Sequence, residues 1–162
     1  MPQIILPDFP NTSEATVGKD YLIFIKTGAA TLEASTYKLI GGQRGGDRSV
    51  KANEIDASDK TSDGWGSFLP GTKEWTIDLD QIAILNDEGA DTLMQALLND
   101  KKVYILQRHA SGKAVKGWMS CLEQTLGSPH DDVGTISGSL KGVGKPEFVD
   151  NEPDPLAEDD ED

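Results

Sequence analysis

Apolar residues recur along this chain in short runs and in strict alternation, which predicts a protein made mainly of β-strands. The expected strands are six to ten residues long and are separated by polar or glycine-rich turns: 20–26, 33–40, 73–80, 103–108, 113–122 and 133–142. In 73–80, Trp75, Ile77 and Leu79 alternate with polar side chains, as in a half-buried strand of an antiparallel sheet. The apolar phase slips by one residue after Gln81, so a bulge or a strand end is expected there.

One helix is predicted, over residues 87–99, where apolar side chains follow the helical period. These side chains form a single stripe: Ala90, Leu93, Met94, Leu97 and Leu98. Asn86 or Asp87 can cap the start, and Asp87 and Glu88 suit the positive end of the helix dipole. The helix is therefore expected to lie on a sheet with its other side in solvent.

Residues 41–66 form a long polar, glycine-rich segment between predicted strands. A segment of this kind is uncommon inside a compact domain and is usually functional or mobile. Its opening, GGQRGG at 41–46, lacks the Lys-Ser/Thr ending and the helix of a phosphate-binding loop, so a mobile hairpin tip is expected. The order of elements predicts a mainly β fold, either a β-sandwich or an open barrel, with one flanking helix and a long loop or hairpin.

The ends of the chain differ from its middle. Residues 1–16 contain Pro2, Pro7 and Pro10 and are expected to form an extended arm, either an ordered edge or frayed terminus or an arm that docks on a neighbouring subunit. Residues 17–146 are expected to be the folded domain. Residues 147–162 are acidic and poor in apolar side chains, so a disordered tail is predicted. Such a tail either keeps the protein soluble or limits its assembly.

The charge of the chain is concentrated in this tail. The formal net charge is −13, but nine of the 28 carboxylates lie in residues 147–162, and residues 1–146 carry only −4. Tight nucleic-acid binding needs lysines and arginines in clusters, and the sequence contains no such cluster. No run of about 18 apolar residues predicts a membrane span, and the first ten residues do not resemble a signal peptide. A protein made and kept in a cytoplasm is expected.

The side chains that could carry chemistry do not form a recognisable catalytic set. Cys121 lies in an apolar strand and is expected to be buried and inert, while His109 and His130 lie in turns. Asp59 opens a calcium-loop pattern, but Pro70 stands where the bidentate glutamate is required. We expect no enzyme activity, no metal and no cofactor.

Four aromatic residues are candidates for stacking on nucleic-acid bases. Phe68, Trp75 and Trp118 lie in or beside predicted strands, where core packing is the better expectation. Trp65 lies in the long polar segment and is expected to anchor it, either to the domain or to a neighbour.

Residues 18–145 resemble the major tail protein family of long, non-contractile phage tails. The resemblance rests on GKDYLIFIK at 18–26 and on four short motifs within 54–80: Ile55-Asp56, Asp63-Gly64-Trp65, Leu69-Pro70-Gly71 and Trp75-Thr76. It implies the β-sandwich or barrel shared with type VI secretion tubes. It also implies a virion protein that self-assembles into hexameric rings, stacked around a lumen through which genomic DNA passes during ejection without specific binding. Tape-measure and tail terminator or completion proteins are implied partners, and the host bacterial cytoplasm is the implied site of assembly.

The resemblance also suggests roles for particular residues. The segment 41–66 matches a loop that reaches the next ring, so Arg44, Arg48 and Lys51 are expected to meet carboxylates there, with Trp65 as a further contact. Mild acidity would keep DNA from sticking to the lumen, and Asp78 and Asp80 are the expected lumen-facing carboxylates.

Three other functions remain open from the sequence. The first is an inner-tube subunit of a contractile tail or a type VI secretion-like device, which electron microscopy would reveal by a sheath. The second is a small-ligand-binding β-barrel, which predicts a monomer with a shielded apolar pocket. The third is an adhesin-like surface domain, which should carry an export signal.

Overall fold

The computed structural model describes residues 3–5, 7, 18–61 and 63–156. A 3-10 turn at Gly18–Asp20 leads into eight strands and one helix. In chain order these are β1 (Tyr21–Thr27), β2 (Thr36–Leu39), β3 (Gln43–Asp56), β4 (Phe68–Ile82), α1 (Glu88–Leu98), β5 (Lys102–His109), β6 (Ala114–Gly127), β7 (Thr135–Gly142) and β8 (Glu147–Val149).

All eight strands belong to one antiparallel sheet, in the order β2-β1-β5-β6-β7-β4-β3, with β8 added to β6. Between β1 and β3 the sheet is closed by glutamine side chains. The Gln43 amide accepts a hydrogen bond from Ile23 N (3.0 Å) and donates one to Ile23 O (2.7 Å). Gln107 Nε2 donates to Gly46 O at 2.8 Å. The predicted mainly β fold with one helix is confirmed, as an open barrel with an amide-bonded seam.

The core lies inside this curved sheet. Its buried side chains come from β1, β4, β5, β6, β7, α1 and the residue that follows β2: Ile23, Ile25, Ile40, Trp75, Ile77, Leu79, Leu93, Ala96, Val103, Ile105, Val115, Met119, Cys121 and Leu140. Trp75 fills the space above two glycines, because a Cβ at Gly117 would lie 2.9 Å from its Cζ2 and a Cβ at Gly142 would overlap its indole nitrogen. The alternation predicted for β4 is confirmed, since Trp75, Ile77 and Leu79 are all buried.

The helix is confirmed, and Asp87 is its N-cap. The predicted stripe is confirmed in part. Ala90 and Leu93 are buried and Leu97 packs against the core, but Gly89 and Ala96 are buried as well, whereas Met94 and Leu98 are exposed. The cause is a close approach to the sheet, because a Cβ at Gly89 would lie 3.0 Å from Ile40 Cα. Small residues therefore make the contact, and the larger ones lie beside it.

The Asp87 carboxylate joins three parts of the structure. It accepts hydrogen bonds from Gly89 N (3.2 Å), from Gly41 N (3.3 Å) and from Nε2 of the fully buried Gln81 (3.0 Å).

We expect Asp87→Ala to lower the free energy of unfolding by about 2 kcal/mol, more than loss of an ordinary cap, because a buried amide also loses its partner. Urea denaturation measures this effect. The control Asp91→Ala, on the exposed face of α1, should change stability by less than about 0.5 kcal/mol, and equal losses would contradict the prediction.

Much of the segment 41–66 is one strand of a long hairpin, so the predicted hairpin is confirmed, whereas the alternative of a loop and the mobile tip at 41–46 are wrong. Residues Gln43–Asp56 form β3, which pairs with β4 along its length. Gly46 is needed for a close approach rather than for mobility, because a Cβ there would overlap Ile23 Cδ1. The phase slip after Gln81 is explained by the end of β4 at Ile82 and by a register shift on β3 between Gln43 and Gly45.

The disorder predicted for 147–162 is wrong for the part that the structure describes. Glu147–Val149 form β8 on β6, and Glu152 is buried. A polar sequence is ordered here because backbone hydrogen bonds and ion pairs, rather than apolar burial, hold it. Residues 157–162 lie outside the described part, as does most of the predicted arm 1–16. The division into arm, domain and tail stays a prediction.

Candidate assembly surfaces

Among the described residues, the distal half of the β3–β4 hairpin is exposed along both strands. Both of its faces are open to solvent, yet it carries apolar side chains that are each more than half exposed: Val50, Ile55, Trp65, Phe68 and Leu69. Ile55 lies directly opposite Leu69 in the register, and Phe68 opposite Asp56. We call Ile55, Trp65, Phe68 and Leu69 the apolar tip. Ile55 and Leu69 share one face of the hairpin and Phe68 lies on the other, so apolar surface exposed on both faces makes the tip a candidate interaction site.

The structure places the three predicted basic contact residues along β3. Arg44 is exposed at the register shift. Arg48 is exposed, with Nη1 donating to Gln107 Oε1 at 3.3 Å and its guanidinium 5.9 Å from the ring centroid of Phe148. Lys51 forms an ion pair of 3.0 Å with Glu74. Hydrogen bonds from Lys141 and Lys51 lower the pKa of the Glu74 carboxyl.

Trp65 lies apart from these cations, in the turn between β3 and β4, and is 79% exposed. The interpretation that it anchors the segment to its own domain is therefore wrong, and a contact with a neighbour stays a prediction. Of the other aromatic residues, Trp75 is in the core as expected. Phe68 and Trp118 are exposed, contrary to the expectation of core packing, because strand position alone does not say which face is covered.

Asp78 and Asp80 lie on the exposed face of β4, within a wider acidic surface. Asp78 is opposite Asp47 of β3 and Ser139 of β7, and Glu123 of β6 lies beyond Ser139. We call Asp47, Asp78, Asp80 and Glu123 the acidic face. They line one shallow depression, and no lysine or arginine is among the described residues around it. Sequence reasoning missed Asp47 and Glu123, because their place depends on strand register.

The residues considered for chemistry do not form a reactive site in the part of the chain that the structure describes. Cys121 is buried, and burial raises the pKa of its thiol. His109 Nδ1 lies 2.8 Å from the Ser111 hydroxyl and its ring packs on Tyr21, whereas His130 is exposed. Among the described residues, no three His, Cys, Asp or Glu side chains converge to hold a metal ion. None of the helices found there is long and apolar enough to cross a bilayer.

Solved structures with a similar fold include chains from a gene transfer agent tail, the SPP1 tail tube and the anti-feeding prophage baseplate. The tail of an empty gene transfer agent particle is 18% identical, with 83% of this chain and 99% of that chain covered and a TM-score of 0.71. The SPP1 tail tube is 16% identical, with 88% and 83% covered and a TM-score of 0.72. A chain of the anti-feeding prophage baseplate is 7% identical, with 85% and 97% covered and a TM-score of 0.61.

These likenesses define the fold class of the chain, an antiparallel β-barrel with one flanking helix. No curated protein matches its sequence. A family model does: the chain belongs to the phage tail tube protein family, whose model matches residues 15–148. It is a structural protein of the virion tail and not an enzyme. The family resemblance noted in the sequence is thus confirmed.

Proposed function

We propose that this tail tube protein assembles with copies of itself into hexameric rings, and that the rings stack into a tube through which genomic DNA passes during ejection. The observation that carries the proposal is the β3–β4 hairpin, a long ribbon whose apolar tip is left more than half exposed by the described part of its own subunit. A projection of this kind fits a surface on an adjacent ring. The sixfold symmetry used for the similar gene transfer agent tail supports the ring size.

The acidic face gives the tube a lumen that DNA does not bind. Asp78 and Asp80 are the proposed lumen residues, joined by Asp47 and Glu123 on neighbouring strands. Like charges repel phosphates, and the described residues around the acidic face include no lysine or arginine that could displace phosphate counterions. The DNA therefore passes without specific binding.

Further contacts between subunits involve the start of the chain. Ile4 and Ile5 are 81% and 89% exposed, so an arm with these apolar side chains has surface to bury on a neighbour. We also assign tape-measure and tail terminator or completion proteins as partners at the ends of the tube, and the host bacterial cytoplasm as the place of assembly. Both rest on the family alone.

The experiment that tests the tube is a measurement of mass in solution together with negative-stain microscopy of the purified protein. Rings or tubes of uniform width are expected. A strict monomer at high concentration that does not assemble on seeding would contradict the proposal. A sheath around the tube in the virion would identify a contractile tail.

The basic residues of β3 provide a second test. Arg44→Glu/Arg48→Glu is expected to slow tube growth at least about tenfold at low salt, since cations facing carboxylates of the next ring become like charges. Light scattering follows the growth. Lys38→Glu/Lys113→Glu makes the same charge change at exposed sites off the hairpin and should grow normally. Normal growth of the arginine variant, with an unchanged melting temperature, would defeat the proposed pairing.

A further inference from the structure

The sheet has a second face on β1, β5 and β6, turned away from the core. We call this surface the outer face. The register of the three strands places these side chains on it: Leu22, Phe24, Lys26, Tyr104, Leu106, Arg108, Ala114, Lys116 and Trp118. Phe24, Leu106 and Ala114 form a small second core there, with Leu22 and Tyr37 packed against it. This apolar surface needs a cover.

The segment that follows β8 covers one end of the outer face. Glu152 O accepts a hydrogen bond from Arg108 Nε at 2.9 Å, and Glu152 Oε2 lies 3.0 Å from Lys116 Nζ. Glu152 N donates to Gly112 O at 2.9 Å, and Asp154 lies 4.0 Å from Arg108. Burial alone would lower the pKa of Lys116, but the hydrogen bond and charge of Glu152 outweigh it, and the pKa is raised. The chain is therefore anchored on this face as far as Asp154.

The other end of the same face opens into a groove of about 380 Å³ beside the end of α1. Lys26, Lys101 and Lys102 line it together with Tyr104 and Trp118, and no aspartate or glutamate is among the described residues of its wall. Lys26 Nζ lies 5.7 Å from the ring centroid of Tyr104 and 4.8 Å from that of Tyr37. We call this the lysine groove. In a chain with an excess of carboxylates, its chemistry fits an acidic peptide.

The chain itself contains such a peptide within reach. Residues 157–162 carry five carboxylates: Glu158, Asp159, Asp160, Glu161 and Asp162. Arg108, where the preceding segment is anchored, is four residues from Tyr104 along β5, or about 13 Å. Six extended residues span up to about 20 Å. The distance from the anchor to the groove therefore matches the length of the acidic segment.

We propose that residues 157–162 bind in the lysine groove of their own subunit, so that the acidic segment completes a strap across the outer face. The anchor at Glu152 keeps the carboxylates of residues 157–162 at high effective concentration beside the three lysines. Each exposed ion pair is weak, but several of them together can then hold the segment in the groove. The strap leaves the outer face unavailable to other subunits while it is bound.

Trp118 reports on the groove. In protein labelled with 5-fluorotryptophan, the ¹⁹F signal of Trp118, assigned with Trp118→Phe, should move when residues 157–162 are deleted, while that of the buried Trp75 stays. The shift in the full chain should not depend on protein concentration. Added N-acetylated peptide 157–162 should restore the signal in the deletion variant. High salt should abolish the shift, because exposed ion pairs are screened.

Charge variants separate groove binding from general attraction. Lys101→Glu/Lys102→Glu should weaken peptide binding by at least about tenfold, and replacement of Glu158 and Asp159 by lysine should restore the Trp118 signal in that background. The control Lys60→Glu/Lys73→Glu makes the same charge change on the hairpin and should bind normally. An unmoved Trp118 signal after deletion would overturn the proposal. A concentration-dependent shift, which indicates binding to a second subunit, would also overturn it, as would equal loss in the control.

Discussion

Trp75→Ala is expected to lower the free energy of unfolding by about 3–5 kcal/mol. The side chain is 2% exposed, fills the space above Gly117 and Gly142, and donates a hydrogen bond from Nε1 to Gly144 O at 3.1 Å. Alanine removes the indole and leaves a cavity that three strands cannot close. Because domains of this size are stable by only about 5–15 kcal/mol, the loss is a large share of the total. Urea denaturation of the unassembled subunit measures it.

Trp118→Ala is the matched control, since it removes the same side chain from a site that is 43% exposed, against 2% for Trp75. It should cost about 1 kcal/mol, mainly through the lost edge contact with Tyr104 at 5.3 Å. Gly142→Ala tests the same layer from the opposite side, because its Cβ would overlap the indole. It should also destabilise markedly, whereas Gly138→Ala in the same strand has room. If Trp75→Ala lowered the free energy of unfolding by less than Trp118→Ala does, Trp75 would not be packed above Gly117 and Gly142 as described.

Ile55→Ser/Phe68→Ser/Leu69→Ser is expected to abolish tube formation and leave the subunit folded. These three side chains of the apolar tip are more than half exposed, so their loss removes little buried area from the monomer. In a tube they would be buried on a neighbouring ring, at about 25 cal/mol per Å² of apolar surface, repeated in every subunit. Sedimentation and negative-stain microscopy measure assembly, and circular dichroism checks the fold.

The conservative variant Ile55→Val/Phe68→Leu/Leu69→Ile keeps the tip apolar and should still form tubes. Assembly of the serine variant at the normal rate would mean that the tip is not an assembly contact. Failure of both variants would point to a requirement for shape rather than for apolar area.

The parts of the fold predicted correctly from the sequence are those with one buried and one exposed face. Trp75, Ile77 and Leu79 show the period of β4 because only one face of that strand meets the core. The start of α1 was readable because a cap is a local feature. The buried stripe of α1 is predicted only in part: Ala90 and Leu93 are buried as expected, whereas Gly89 and Ala96 carry no strong hydrophobic signal. Gly89 acquires its role from the close approach of the helix to Ile40.

The parts of the fold that the sequence did not predict are held in place by partners that are distant in sequence. Strand β3 has no inner face along most of its length, so its sequence lacks the alternation that marks a strand, and pairing with β4 alone orders it. Glu152 is acidic in an acidic tail, and only the fold brings it to Lys116. The acidic face was half predicted, because Asp78 and Asp80 lie on a readable strand, whereas register decides that Asp47 and Glu123 join them.

The barrel is easier to deform at the seam between β1 and β3 than between its other neighbouring strands. Elsewhere around the sheet, neighbouring strands are joined by ladders of backbone hydrogen bonds, which stretch or slip only when several bonds break together. At this seam the Gln43 amide joins β3 to β1, and the Gln107 amide reaches from β5 to Gly46 of β3. These side-chain hydrogen bonds can break one at a time. A subunit strained by bending should therefore widen first at the seam between β1 and β3, leaving its core, its outer face and its acidic face unchanged.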